Sequence, residues 1–155
     1  MEITIRIDDK ELTARYNGAT ALLYRDSFRS DILLDVSEAK KRVDTELIDK
    51  MTNGVELTNP EVENIIVRNV TTELLEKLLW ACLKTADNGI KDYRSFIGNV
   101  ENYNAMIGAS ISVYELIVYG NQPTVEIEKG EEETKKKKKK KKKKKCLISL
   151  ILRLI

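Results

Sequence analysis

The chain has 155 residues and a mass of 17.7 kDa, which leaves room for one domain with its own core but not for two of ordinary size. With 42% hydrophobic and 34% charged residues, two prolines and seven glycines, its composition excludes a disordered or fibrous protein. The formal net charge of +2 conceals a segregation: residues 1–134 hold all 25 acids and 15 of the 27 bases, a net of −10, while residues 135–155 hold the remaining bases and no acid.

Ile3, Ile5 and Ile7 alternate with Thr4 and Arg6, the period-two pattern of a strand with one buried face. Asp8-Asp9-Lys10 reads as a tight turn, and Leu12, Ala14 and Tyr16 alternate again with polar residues, so residues 2–16 are expected to form a β-hairpin closed by Asn17-Gly18. Leu22 and Leu23 lie in a stretch spaced for a short helix over 19–28. From Val36 to Met51 the apolar set Ala39, Val43, Leu47, Ile48 and Met51 predicts a helix with a wet outer face. Asn53-Gly54 and Asn59-Pro60 punctuate a loop.

Val62, Ile65, Ile66 and Val70 have helical spacing, yet the β-branched run Ile65-Ile66-Val67 suits a strand, and the segment is read as helical or irregular. Leu74, Leu75, Leu78, Leu79, Cys82, Leu83 and Ala86 form a broad apolar stripe that marks a core helix over 71–87, stopped by Asn88-Gly89. A short piece near 92–98 leads to a second long helix over 100–119, with Val100, Tyr103, Ile107, Ile111, Tyr114 and Val118 on one face. Beyond Pro123 the periodicity is lost. The expected fold is α+β: an N-terminal hairpin packed on a small, predominantly helical domain over 1–120, an acidic linker over 121–134, and a disordered lysine-rich tail over 135–155.

The chain has no histidine, which removes Ser-His and Cys-His nucleophile pairs and every imidazole metal ligand. Two cysteines, Cys82 and Cys146, are too few for a Cys-rich zinc site or a disulfide framework, and they fit a reducing, cytoplasmic setting. The opening Met1-Glu2-Ile3-Thr4-Ile5-Arg6 lacks the basic-then-apolar order of a secretory signal. No phosphate cradle of the GxxxxGK[ST] or GxGxxG kind is present, and no cofactor or metal is expected. Asp31 and Asp35 are spaced to share a helix face as an acid/base pair would, although solvated charge beside a turn is the plainer reading. Cys82 sits inside the leucine stripe as a small buried hydrophobe, and Trp80, off that stripe, is either a second packing face or an exposed anchor for a partner.

From Lys135 through Lys140 to Lys145 the chain is an unbroken run of eleven lysines. Like charges repel, so it is expected to be solvated; it would bind phosphates sequence-blind, or touch an anionic membrane surface together with the apolar decapeptide Cys146–Ile155. That decapeptide is half of the roughly 20 residues a spanning helix needs, so no transmembrane segment is expected. Only AAA and AAG encode lysine, so the message there is almost wholly purine and prone to slippage.

The hairpin, the stretch Tyr16-Asn17-Gly18-Ala19-Thr20-Ala21-Leu22-Leu23-Tyr24-Arg25-Asp26, then Asp31-Ile32-Leu33, Trp80-Ala81-Cys82-Leu83-Lys84-Thr85-Ala86-Asp87 and Phe96-Ile97 resemble the tail assembly chaperones of long-tailed phages and prophages of Gram-positive bacteria, over residues 1–120. The resemblance implies a non-enzymatic assembly factor of the host cytoplasm, absent from the finished virion. It implies a short product and, by programmed frameshift near the lysine run, a longer one. The implied partners are the tape-measure protein, which the chaperone coats and keeps soluble, and the tail-tube protein, recruited mainly by the longer product; self-association is also open, and no specific nucleic acid is expected. Masking a helical tape measure calls for an apolar groove with a charged rim. Leu79, Trp80, Leu83, Tyr103, Ile107 and Tyr114 are the candidate partner-binding residues, with internal core as the favoured reading for all of them but Trp80.

Overall fold

The computed structural model describes residues 1–120 with the exception of Glu56, so the linker over 121–134 and the lysine run lie outside the described residues. Strands β1 (Glu2–Ile7) and β2 (Lys10–Arg15) pair antiparallel from Glu2↔Arg15 to Ile7↔Lys10. The alternation has the expected consequence: Ile3, Ile5, Ile7 and Ala14 are buried while Glu2, Thr4 and Arg6 face solvent. The turn is tighter than the sequence suggested, because Lys10 already belongs to β2. Asp8 and Asp9 alone make it, both left-handed at φ 50° and 61°, the twist that suits a two-residue hairpin and that aspartate tolerates better than most residues.

Helix α1 (Gly18–Phe28) starts where Asn17 accepts from Ala19 N and Thr20 N, while the Thr20 hydroxyl accepts from Asn17 N and donates to the Arg15 carbonyl at 3.0 Å. This reciprocal cap locks the helix onto the end of β2 and satisfies a fully buried threonine. Helix α2 (Ile32–Thr52) begins four residues before the expected Val36 because Asp31 caps it, accepting from Leu33 N at 2.8 Å and Leu34 N at 3.2 Å. Its buried stripe is Ile32, Val36, Ala39, Val43 and Leu47, and Ile48 stays on the exposed side.

The ambiguous 62–70 segment is helical, α3 (Asn59–Asn69). Thr58 and Glu61 form a capping box and Pro60 sits in the first turn, where its missing N–H costs nothing. Those starting signals outweigh the β-branched crowding, and Val62, Ile65 and Ile66 are buried.

Helix α4 (Thr72–Ala86) is the centre of the fold. Leu74, Leu75 and the whole run from Leu78 to Leu83 are buried, so it is covered nearly all round, packing against β2, α1 and the two helices that follow it. Helix α5 (Tyr93–Gly98) is a short helix of six residues capped by Asp92. Helix α6 (Tyr103–Tyr119) starts three residues later than expected, at the Asn102 cap, and its most buried side is not the expected stripe. Met106, Ala109, Ser110, Val113 and Leu116 are buried together with Ile111 and Tyr114, whereas Tyr103 is exposed. Buried Ser110 returns its hydroxyl to the Met106 carbonyl at 2.8 Å.

Two long-range ties close the structure. The Asp8 carboxylate accepts the backbone N–H groups of Glu101 and Asn102, holding the hairpin turn at the start of α6. At the other end of α6, left-handed Gly120 lies so near the chain start that a methyl group added there would sit 3.9 Å from Met1 Sδ. Among the described residues no helix is long and apolar enough to cross a membrane.

Candidate functional site

The richest side-chain constellation lies where α1, α4 and α5 meet. Phe28, the last residue of α1, is the hub: its ring centroid is 5.0 Å from Tyr24, 5.5 Å from Trp80 and 5.1 Å from Tyr93, each contact edge-to-face. Lys77 Nζ sits 5.2 Å from the same ring centroid and pairs with Glu73. Trp80 is 4% exposed, and its indole N–H donates to the Lys91 carbonyl at 2.9 Å, tying α4 to the loop before α5.

Glu76 extends this cluster toward α6. One carboxylate oxygen accepts the Tyr93 hydroxyl at 2.9 Å and the other accepts the Tyr103 hydroxyl. Burial, and the bond to Glu76, push the Tyr93 phenol well above its ordinary range; for Tyr103 the bond to Glu76 leads and the hydroxyl is pushed up to about 12. The carboxylate thus acts as a two-pronged clip between α4, α5 and α6.

The six candidate partner-binding residues are dispersed by this geometry. Leu79, Leu83 and Tyr114 are buried on α4 and α6, two helices that pack on each other, and Trp80 is buried beside Phe28. Ile107 is half-buried and Tyr103 is 45% exposed, so only these two offer surface as the chain stands. Lys135, Lys140 and Lys145 lie outside the described residues.

An open groove of about 480 Å³ runs between α2 and α3, lined by Lys41, Arg42, Thr45, Glu46, Asp49 and Asn69. Of its charged side chains, Arg42, Glu46 and Asp49 are already engaged by neighbouring groups. Arg42 Nε donates to the Asn69 carbonyl at 3.0 Å at the end of α3, and Glu46 accepts from both Arg68 and Asn69.

The carboxylates do separate jobs. Asp31 caps α2, while Asp35 accepts the Tyr24 hydroxyl at 2.8 Å and the Ser30 hydroxyl at 2.7 Å on one oxygen. Glu115 on α6 is pushed up to about 7 by burial, with repulsion from Glu63 adding to it. Burial also pushes the Cys82 thiol up to about 12, which makes it unreactive at neutral pH. Among the described residues no group of three or more acids, cysteines or histidines is placed to hold a metal ion. Sequence reasoning overlooked Phe28, Glu76 and Tyr93; the only advance signal was that Phe28 and Tyr93 sit at element ends, where an aromatic ring joins two elements.

No protein-family profile, no curated protein and no solved structure matches the chain.

Proposed function

We propose that the chain is a tail assembly chaperone, binding and solubilising the tape-measure protein and helping to recruit tail-tube subunits during phage tail morphogenesis in the host cytoplasm. The observation that carries this reading is the resemblance of residues 1–120 described above. Two of its separate stretches are joined through one ring, since Phe28 meets Tyr24 of the first and Trp80 of the later one, and the Tyr24 hydroxyl reaches Asp35 in the helix that Asp31 caps. A resemblance spread over several segments, two of which share one packing cluster, supports a common architecture better than a local motif does.

The physical properties suit the role. An acidic body stays soluble at high copy number, and coating a long helical partner with many copies tolerates weak individual contacts, in keeping with exposed Tyr103 and half-buried Ile107 in place of a deep pocket. The lysine run would then be the coding trace of a slippery message at which a longer product arises.

The test is co-expression with the tape-measure protein of the same tail gene cluster. The full chain, and a version lacking residues 135–155, should both move the tape measure into the soluble fraction. The rival reading, a binder of nucleic acid or anionic membrane, is favoured by the lysine run alone; it predicts no effect on the tape measure and salt-sensitive retention of DNA or acidic liposomes that vanishes with residues 135–155.

A further inference from the structure

Among the described residues the outer edge of β1 has no hydrogen-bonded neighbour. Met1 and Tyr16 exchange both backbone hydrogen bonds, at 2.8 and 2.9 Å, which fixes the ladder's phase. With the register Glu2↔Arg15 to Ile7↔Lys10, the pairs that bond across the hairpin are Ile3/Ala14, Ile5/Leu12 and Ile7/Lys10. The backbone N–H and C=O groups of Glu2, Thr4 and Arg6 therefore point away from β2, and among the described residues nothing bonds to them. Their side chains are exposed too.

We infer that β1 pairs antiparallel with β1 of a second copy about a two-fold axis at Thr4, joining two hairpins into one four-stranded sheet. The edge is complementary to itself in this register. Glu2 faces Arg6 of the second copy, Thr4 faces Thr4, and Arg6 faces Glu2, so both charged positions meet the opposite sign. The three outward residues of one strand meet the three of the other as bonded pairs, which satisfies every open edge group, while Ile3 comes opposite Ile5 on the core side and the buried face continues across the axis.

The cis partners leave room for this. Arg6 meets Asp9 through one terminal nitrogen at 2.9 Å, and Glu2 meets Arg15 through one oxygen, so each keeps a free side for the second copy. Edge strands that avoid pairing carry prolines, bulges, inward-pointing charges or repelling outward charges, lysine above all; β1 has no proline, bulge, inward charge or lysine, and its two outward charges are of opposite sign and match across the axis. The outer edge of β2 has a similar charge order, but the Arg15 carbonyl is taken by the Thr20 hydroxyl and α1 begins directly after it. The chain's own Thr124-Val125-Glu126-Ile127-Glu128 is a competing occupant by pattern, yet its two glutamates suit Arg6 and oppose Glu2. The inference is independent of the functional reading above.

Sedimentation equilibrium of the full chain tests it. The weight-average mass should climb with concentration from one chain toward two. Arg6→Glu sets like charges opposite each other twice and should weaken the dimer at least about tenfold, and Glu2→Arg with Arg6→Glu should restore it. Thr4→Pro should abolish the dimer, whereas Thr13→Pro, the matching change on the β2 edge, should leave it intact. Should the charge variants lose their fold, a Thr4→Cys chain in a Cys146→Ser background provides a second readout: mild oxidation should link it into covalent dimers far faster than a Thr13→Cys chain. A wild-type chain that stays monomeric throughout, whether Thr124–Glu128 takes the edge or nothing does, overturns the inference, as does a dimer lost with Thr13→Pro or unmoved by Thr4→Pro.

Discussion

Asp8 and Asn102, ninety-four residues apart, are joined by a 2.7 Å hydrogen bond from the Asn102 backbone N–H to the Asp8 carboxylate, with the Glu101 N–H on the other oxygen at 2.9 Å. The turn of the first hairpin is thereby fastened to the residues that lead into the last helix, whose own cap is Asn102, and a negative charge lies near that helix's positive end.

Asp8→Asn keeps a side chain that tolerates the left-handed backbone but removes the charge and one acceptor, and should lower the melting temperature at neutral pH. The two backbone bonds, from Glu101 first, hold the Asp8 carboxyl below its usual 3.8. A lowered folded-state pKa gives stability that is present above 3.8 and lost as pH falls through the folded value. The gap between wild type and variant in thermal melts should therefore close below pH 4; a gap that persists there contradicts the tie.

Glu115 has the opposite sign. Its carboxyl, raised to about 7 by burial and by Glu63, contributes stability that is full below 4.5 and is lost as pH rises through 7. Glu115→Gln should stabilise the fold at pH 8 by on the order of 2 kcal/mol and flatten its pH dependence between pH 5 and 7, measured by urea unfolding at several pH values. Glu63→Gln should reproduce a smaller part of the gain.

Two buried tyrosines differ in how their hydroxyls are served. Tyr24 donates to Asp35, while the Tyr114 hydroxyl has no partner among the described residues. Tyr24→Phe should cost about 1–2 kcal/mol, and Tyr114→Phe should be neutral or stabilising, because it removes a desolvated hydroxyl without breaking a bond. Equal losses in chemical unfolding would refute the distinction.

Trp80 is the one tryptophan and is buried, so its fluorescence reports on the Phe28 cluster alone. Phe28→Ala removes three edge-to-face contacts and the seat of Lys77 and should cost about 2 kcal/mol while shifting the native emission to the red. An unshifted spectrum would mean that Phe28 does not shield the indole.

The local features of the fold were legible in the sequence. Alternating isoleucines announced β1, and the leucine stripe announced α4. The caps at Asn17, Asp31 and Thr58 are also local, and weighing Asp31 and the Thr58–Glu61 box would have placed the starts of α2 and α3. What depended on distant contacts was not legible. In α6 apolar residues occur all round, so spacing selects no face, and the buried side is decided by small residues such as Ala109 and Ser110. Leu79 and Leu83 read equally well as groove or core, since an apolar stripe does not say whether its cover is intramolecular. Glu76 meets Tyr93 and Tyr103 from 17 and 27 residues away, beyond any periodic pattern.

The nearness of Gly120 to Met1 has a practical side. A short bridge across that gap would close residues 1–120 into a ring, and the exposed Asn53-Gly54 bend, with Gly54 at φ 72°, is where such a ring can be reopened to give a circular permutant. A fluorophore or fusion partner carried at those new ends would leave both the isoleucine strand and the exit of the last helix unencumbered.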